Sequence, residues 1–288
     1  MPALTADGCE DEGMESLAAL LERRVFECRL SPDRALGSLD EAEAFLRGRG
    51  LLTRTADSAL PSLYEACHEE AYQPGGQGFA AWPATKWPWF GALTGRGYLC
   101  VGVHRGKNLL VSAEAAALLD PLCRAETERL RAADPAWRRL LDHLATTGPS
   151  LTDDLRVELG LKRQELKALR YPLERCGAVV ARSVAVHAAT GPAASSRAAG
   201  AAGDEGHARA TELARWDQAY PGGQAAAGTE PASALSELLA AAVTAAVVTP
   251  EGEVRRWFSW PWYWADTLTD DLVRSGRLRR VDGHLASC

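Results

Sequence analysis

The sequence predicts a mainly α-helical fold with small β elements. Apolar residues recur at helical spacing along most of the chain, and short β-branched runs interrupt them. In residues 134–187 the order is helix, turn, helix, a basic third helix and then an alternating AVVARSVAV run, and a similar order returns in residues 207–288. This is the order of a winged helix, so we expect tandem winged-helix modules with a small β-containing insert, an α+β architecture.

The composition allows two or three small domains in 288 residues. The seven cysteines lack paired spacing, and the first residues are acidic rather than a basic stretch followed by an apolar one, so we expect a cytoplasmic protein. Apolar runs stay shorter than the roughly 18 residues that cross a membrane, so we expect no membrane partner.

The formal charge of −6 argues against a generic nucleic-acid binder, because such domains are usually basic. The charges are unevenly distributed, however. The first fifteen residues carry five carboxylates and no basic residue, whereas residues 162–170 and 274–280 are rich in Lys and Arg. Local fields can therefore still favour phosphate groups.

The N-terminal part is expected to be helical after a disordered acidic tail over residues 1–13. In residues 14–78 one amphipathic helix is predicted near the start, and Ser38 with Glu41 forms the signature of a capping box for a second. Pro61 then opens a predicted third helix over SLYEACHEEAY. This block could be a degenerate winged helix, although its third helix is acidic and would repel phosphate.

No catalytic residue can be identified from a motif, since neither a nucleophile elbow nor a cysteine signature is present. His68, Glu69 and Glu70 could offer acid and base groups beside an aromatic cluster, which a base-processing site needs. Carboxylates on a helix surface explain the same residues without any activity. They are candidate catalytic residues whose role stays open.

Residues 79–133 are predicted as an aromatic connector with a small β element. YLCVGVHRGKNLLVS predicts two strands that turn between His104 and Lys107, and a helix is predicted from Asp120. Aromatic side chains there could stack on unpaired bases, but burial between domains is the favoured interpretation. Three tryptophans lie between prolines: Trp82, Trp87 and Trp89.

Residues 134–187 form the clearest predicted module. Asp134 and the proline after it start the first helix, and Thr-Thr-Gly-Pro ends it near Thr147. Ser150 or Thr152 then caps a short second helix. Both helices carry leucines at helical spacing, so they are expected to pack on a shared core.

The third helix of this module is basic on one side. Leucines at helical spacing form its apolar stripe, and Gly177 ends it. The AVVARSVAV run after it predicts a strand pair with Arg182 and Ser183 at the turn. In helix-turn-helix proteins the corresponding helix enters the major groove of DNA, where basic and amide side chains meet phosphates and base edges.

The candidate nucleic-acid contacts are basic or amide side chains on predicted helix surfaces and turns. Cations there can approach phosphates without a burial cost. A helix face that contacts only solvent would show the same charges. The DNA interpretation therefore depends on the winged-helix order of the surrounding elements. The candidates are Lys162, Arg163, Gln164, Lys167, Arg170, Arg182, Lys86, Arg105 and Lys107.

The rest of the chain is predicted to be a flexible linker followed by a second winged helix. Residues 188–206 are small and low in complexity. Residues 207–288 predict a short leading helix over HARATELARWDQAY, a helix from Pro231, a short helix in EGEVRRWFSW, a third in PWYWADTLTDDLVRSG and one or two strands. We therefore expect two divergent copies of one module, with the N-terminal block as a possible third.

No cofactor or metal is expected. Residues of the metal-ligating types occur without CxxC or HExxH spacing, at Cys67, His68, Cys100, His104 and Cys123. No GxGxxG or phosphate-loop lysine pattern is present either, so we expect no small-molecule cofactor.

Residues 120–285 resemble the winged-helix DNA glycosylases of the AlkZ and YcaQ type. The resemblance rests on GPSLTDDLR with the basic helix and strand run after it, and on LLAAAVTAAVV, EVRRWFSW and LTDDLVRSGRLRRV further along. It implies tandem winged helices, a small β domain and metal-independent excision of alkylated or crosslinked bases. The family's catalytic pair of polar residues, typically glutamines around an apolar position, has no counterpart here, since no glutamine precedes Gln73.

The residues and the resemblance together favour a protein that binds double-stranded DNA, damaged or intact, and that is a metal-independent DNA glycosylase if it is an enzyme. Two alternatives stay open. A winged-helix transcription regulator would use the same basic helix on a fixed operator, usually as a dimer. The acidic total charge and the apolar WFSWPWYW run of residues 257–264 would instead favour a non-catalytic interaction scaffold.

Overall fold

The computed structural model describes residues 15–187, 207–222 and 229–288. Within these ranges helices alternate with short strands, and the strands form three small antiparallel sheets. The fold is therefore mixed α+β, as the sequence predicts. The acidic tail expected over residues 1–13 and the linker expected over residues 188–206 lie outside the described residues.

The first unit contains two helices with serine caps. The Ser38 hydroxyl accepts a hydrogen bond from the backbone N–H of Glu41, and the Glu41 carboxylate accepts one from the backbone of Gly37 at 2.9 Å, a variant of the predicted capping box. The elements of this unit are α1 (Leu17–Glu27), α2 (Leu39–Arg49), β1 (Leu51–Thr53), α3 (Trp89–Gly95), β2 (Leu99–His104) and β3 (Lys107–Val111).

The helix predicted over SLYEACHEEAY does not form. This segment contains only a one-turn 3₁₀ helix, Glu65–Cys67, after which His68 has a left-handed φ of 44°. Ser62 bridges to Thr53 of β1, and the N–H of Leu63 donates to the carbonyl of Thr53 at 2.9 Å. Pairing with β1 replaces the helical hydrogen bonds, and the next α-helix after α2 is α3.

A long helix, α4 (Ala113–Ala133), links the first unit to the second. The Ser112 hydroxyl caps it by accepting a hydrogen bond from the backbone of Ala115, so α4 begins well before the start predicted at Asp120. Pro121 lies inside the helix rather than at its first turn. Burial of the upstream turns against the core stabilises them despite the proline.

The second unit has the predicted helices, but neither Ser150 nor Thr152 caps the second one, because Leu151 is at its N-cap and makes no side-chain cap hydrogen bond. The Asp134 carboxylate caps the first of them by accepting a hydrogen bond from the backbone of Ala136 at 2.6 Å. The elements are α5 (Pro135–Thr147), β4 (Ser150–Leu151), α6 (Thr152–Glu158), α7 (Arg163–Arg175), β5 (Val179–His187), β6 (His207–Arg215) and α8 (Trp216–Ala219).

The strand pair of the second unit corrects two predictions. Arg182 and Ser183 do not form a turn, because β5 continues as one strand and Arg182 lies opposite Glu212 of β6. The HARATELAR part of the predicted leading helix is β6 itself. Its backbone pairs with β5 along its whole length, and this pairing outweighs the helical propensity of its alanines and leucine. The sheet therefore extends past residue 187, the expected end of the module.

The third unit has the predicted helices and closing strands, together with a short strand at residues 248–250 that was not predicted. Its first helix begins at Pro231, as expected, and ends at Ala246. The elements are α9 (Pro231–Ala246), β7 (Val248–Pro250), α10 (Glu251–Val254), α11 (Leu268–Arg274), β8 (Leu278–Val281) and β9 (His284–Ser287).

One plan recurs in the three units of the described chain. A helix leads into a short strand, helical segments follow, and two further strands close the unit. In each sheet the last strand lies between the other two: β1-β3-β2, β4-β6-β5 and β7-β9-β8. Because β3 pairs with both β1 and β2, the strands expected in a separate connector over residues 79–133 belong to the first unit.

The largest hydrophobic core joins the first and third units. Strands β2 and β3 contribute to it, together with α4, α9 and the buried Trp257 and Trp260. The leucines of α5, α6 and α7 form a separate core in the second unit, whereas Val180 of β5 and Trp216 of α8 lie in the large core. None of the described helices combines the length and the apolar character needed to cross a bilayer.

Candidate nucleic-acid interface

Helix α7 is anchored by its apolar side and presents polar residues outward. Leu166 and Leu173 are buried in the core of the second unit. The Glu165 carboxylate fixes the first turn by accepting a 2.7 Å hydrogen bond from the backbone of Lys162. Four of the predicted nucleic-acid contacts are exposed around this end of the helix: Lys162, Arg163, Gln164 and Lys167.

A row of basic and aromatic side chains continues along α7. Arg163, Lys167, Tyr171 and Arg175 are spaced by four residues, so each lies beside the next on the helix surface, and all four are exposed. The row spans roughly 18 Å at a rise of about 1.5 Å per residue. We call these four residues the α7 row.

The α7 row ends in a cleft of about 760 Å³ where the three units meet. We call it the junction cleft. The first unit reaches it through the β2–β3 turn, the second through α7 and the segment around α4 and α5, and the third through the loop after α10. Its charged lining residues are Arg105, Arg129, Arg175, Arg255 and Arg256.

The positive charge of the junction cleft is only partly compensated. No Asp or Glu is among the described residues that line it. Within the described chain, no carboxylate lies within 4.0 Å of Arg175 or Arg256. The cleft can therefore attract an anion although the whole protein carries a charge of −6. The other three arginines have partners outside the lining: Arg129 with Glu126 at 2.7 Å, Arg105 with Glu253 at 3.5 Å and Arg255 with Asp266 at 3.5 Å.

Two aromatic side chains of the junction cleft are largely exposed. Tyr171 is 52% exposed and Trp262 is 48% exposed. The indole N–H of Trp262 donates to Glu126 at 2.9 Å, and the Arg129 guanidinium lies 4.4 Å from the centre of the Trp262 ring. Glu126 is fully buried, and its hydrogen bonds hold the pKa of Arg129 above the ordinary value. Trp262 is thus held in place while about half of its surface stays accessible.

The β2–β3 turn approaches α7 closely at the cleft. Gly106 has a φ of +72°, and a Cβ atom there would lie 2.9 Å from Nε of Arg175. The Arg175 guanidinium also lies 5.6 Å from the centre of the Tyr171 ring. Arg105, in the same turn, donates to the carbonyl oxygen of Arg256 at 3.3 Å. The turn therefore connects the first unit to both α7 and the third unit.

Two predicted contacts of the second unit are paired with carboxylates. Nε of Arg170 lies 3.2 Å from Glu174, and Arg182 pairs with Glu212 across β5 and β6. These pairs reduce the charge that either arginine offers to a phosphate.

The predicted contacts of the first unit have internal partners. Nζ of Lys86 donates to the carbonyl oxygen of Leu36 at 2.8 Å, and Lys107 pairs with Asp57. Arg105 is the one of the three that lines the junction cleft.

The candidate catalytic residues lie apart from the junction cleft. Nε2 of His68 is 2.7 Å from the carbonyl oxygen of Arg29. Burial opposes ionisation of Glu69, but hydrogen bonds from Thr85 and from the backbone of residues 85 and 86 outweigh it and hold the pKa of Glu69 below its usual value. Glu69 therefore connects two loops as a carboxylate, and Glu70 is exposed beside it.

The residues of metal-ligating type do not converge. Within the described ranges, no three His, Cys, Asp or Glu side chains gather into a possible ion site. Burial raises the pKa of Cys67 to about 11 and that of Cys100 to about 12, so both thiols stay protonated near neutral pH.

The tryptophan clusters divide between core and cleft. Trp82, Trp87 and Trp89 lie half-buried against the core of the first unit, and so belong to the core of one unit rather than to the expected core between domains. In the WFSWPWYW run, Trp257 and Trp260 are buried, whereas Trp262 lines the cleft.

Sequence reasoning missed most of the junction cleft. Its arginines come from three units, and no local spacing connects Arg129 with Arg256. Two signals were available: the spacing of four that continues from Lys167 to Tyr171 and Arg175, and the two arginines directly before WFSWPWYW.

The chain matches no family model, no characterised protein and no solved structure.

Proposed function

We propose that this protein binds duplex DNA through tandem winged-helix modules, with α7 as the main contact in the major groove. The recurring unit supports the proposal. Each unit has a helix, a strand, further helices and two closing strands, with the last strand in the middle of the sheet, and this order is the one expected of a winged helix. On this proposal α7 is the recognition helix of the second unit.

The observation that carries the proposal is the exposed positive charge on α7. Lys162, Arg163 and Lys167 are exposed, and among the described residues no carboxylate lies within 4.0 Å of their side-chain nitrogens. Such cations gain affinity by releasing the counterions of DNA phosphates. Gln164 adds an amide able to meet a base edge.

The third helices of the other two units offer no comparable surface. Helix α3 contains no charged residue. Helix α11 carries two aspartates in its first turn, and its Arg274 lies 2.5 Å from Asp271. This contrast supports α7, rather than a generic charge effect, as the element that contacts DNA.

A function on damaged DNA is the version we favour. The resemblance to the AlkZ and YcaQ glycosylases implies metal-independent release of alkylated or crosslinked bases. The junction cleft, at the end of the α7 row, is a second basic surface. A transcription regulator that contacts only the major groove does not require such a cleft. The scaffold alternative loses support, because Trp257 and Trp260 of the apolar run are buried.

The proposal is tested by duplex binding at increasing salt. We expect the affinity of the parent protein for a labelled duplex to fall steeply between 50 and 200 mM salt, on the order of a hundredfold or more for a multi-phosphate interface. Replacing Lys162, Arg163 and Lys167 together by Glu should weaken binding by about tenfold or more and flatten the salt dependence.

A matched control separates the role of α7 from a change in total charge. Lys167→Glu and Arg47→Glu make the same change of charge on exposed residues of α7 and α2. Only Lys167→Glu should weaken binding. The proposal is wrong if the triple variant binds like the parent, or if the two single variants lose affinity equally.

The enzymatic part has its own measurement. Incubation of excess protein with duplexes that carry alkylated bases should release the free base in the presence of a metal chelator. If no base is released from several such substrates, the protein binds DNA without the glycosylase activity that the resemblance implies.

A further inference from the structure

We infer that the junction cleft holds one unpaired nucleotide of the bound DNA, with the base on the aromatic side chains and a phosphate on Arg175 and Arg256. This inference rests on the proposed DNA binding and specifies the form of DNA that the protein prefers. The cleft volume of about 760 Å³ lies in the range of small-molecule sites and accommodates a nucleotide with its flanking phosphate.

The aromatic part of the cleft suits a base. Every nucleobase has a flat face that stacks on an aromatic side chain whatever its sequence. Trp262 and Tyr171 are both about half exposed, and the buried Glu126 fixes the Trp262 ring through its indole N–H. A ring that is already fixed loses little conformational freedom when a base stacks on it.

The basic part of the cleft suits a phosphate. Arginine binds phosphate through paired N–H donors, and Arg175 and Arg256 have no carboxylate partner within the described chain. Arg175 is positioned by its contact with Gly106 of the β2–β3 turn. A ligand that combines an anion with a flat ring therefore matches the cleft better than an apolar or cationic molecule.

The α7 row indicates that this ligand belongs to DNA. Lys167 lies one turn before Tyr171, and Tyr171 one turn before Arg175. Phosphates along the first half of α7 would thus lead directly to the cleft. A base reaches such a site only after it leaves the stack, which costs least where it is mismatched, bulged or opposite a lesion.

The inference is tested with two duplexes of equal length, one fully paired and one with a single bulged 2-aminopurine. We expect the bulged duplex to bind about tenfold more tightly, and the 2-aminopurine fluorescence to change on binding as the base stacks. Trp262→Ala and Arg256→Glu should each bring the ratio of the affinities for the bulged and the paired duplex close to one. Trp262→Phe, which keeps an aromatic face, should retain part of it.

Arg47→Glu is the matched control, since it changes the same charge on α2 and should leave the preference intact. Melting curves of every variant check that it is folded. Equal preference for the bulged duplex in the parent and in folded Trp262→Ala and Arg256→Glu would overturn the inference.

Two further outcomes separate this inference from the proposed function. If the parent binds both duplexes equally and the α7 triple variant loses both, duplex binding stands and the unpaired-nucleotide site is wrong. If free deoxynucleoside monophosphate binds in the cleft, with loss in Trp262→Ala, but no duplex binds, the site serves a free nucleotide and both DNA proposals are overturned.

Discussion

His104 is a fully buried ionisable residue at the end of β2. Its Nε2 lies 3.6 Å from Oδ1 of Asp57, which is too long for a hydrogen bond. Burial lowers the pKa of His104. The Asp57 carboxylate and the backbone of Trp257 oppose that shift, and the neighbouring Arg105 adds to it. His104 is therefore neutral in the folded protein near pH 7.

This burial predicts a loss of stability in mild acid. The unfolded imidazole takes up a proton below its ordinary pKa of 6.5, whereas the folded one does so only at lower pH. The free energy of unfolding should therefore fall as pH decreases from about 7 to 5, with a contribution of at most about 1.4 kcal/mol per pH unit from this residue.

Chemical denaturation at several pH values measures the effect. His104→Phe removes the titrating group and should flatten the pH dependence in this window relative to the parent. Thr249→Val, which changes another buried polar residue without removing a titrating group, is the control and should keep the parental slope. An unchanged slope in His104→Phe would show that His104 is not the responsible group.

At the scale of single elements, the end of α7 depends on Gly177. Its φ is +75°, and a Cβ atom there would lie 2.4 Å from Sγ of Cys123 on α4. Gly177→Ala therefore combines backbone strain with a steric clash, and we expect it to lower the free energy of unfolding by about 2–4 kcal/mol. Denaturant titration measures the loss.

Gly276 supplies the comparison, because it follows α11 with a φ of +70° and has no atom within 4 Å of the added Cβ position. Gly276→Ala should cost only the backbone strain, about 1 kcal/mol. If the two variants lose equal stability, contact with α4 does not constrain the end of α7.

Elements whose signals are local, including the β2–β3 strand pair with its short turn, could be predicted from the sequence, whereas two segments whose structure is set by pairing with another strand could not. The caps at Ser38 and Asp134 depend on neighbouring residues alone, and the glycine at position 177 is a local stop signal to which the contact with α4 is added. Strand β6 has the composition of a helix and becomes a strand because β5 pairs with it. Likewise, the segment SLYEACHEEAY does not form the predicted helix, because its first residues pair with β1.

At the scale of the whole molecule, the same distinction applies to the site. The exposed basic residues of α7 lie close together in the sequence, so they could be identified before the fold was known. The junction cleft required the packing of three units to bring Arg105, Arg175 and Arg256 together. Packing also directs the ammonium group of Lys86 towards the carbonyl oxygen of Leu36, so this predicted contact has a partner inside the protein.

The shared core predicts that the first and third units unfold together. Leu238 of α9 is fully buried in the same cluster as Leu109 of β3 and Leu285 of β9. Leu238→Ala should destabilise this cluster by about 2–5 kcal/mol, because it leaves a cavity in a close-packed interior. Amide hydrogen exchange should then accelerate in both β3 and β9, and least in β6, whose buried Leu213 lies in the separate core of the second unit.

Leu141→Ala tests the reverse, since Leu141 is equally buried in the core of the second unit. It should accelerate exchange chiefly in β5 and β6. Faster exchange in β9 alone after Leu238→Ala would mean that the third unit opens independently. The junction cleft should be lost when the shared core unfolds, because Arg105 and Arg256 come from the two units that share this core. Arg175 comes from the unit packed against them.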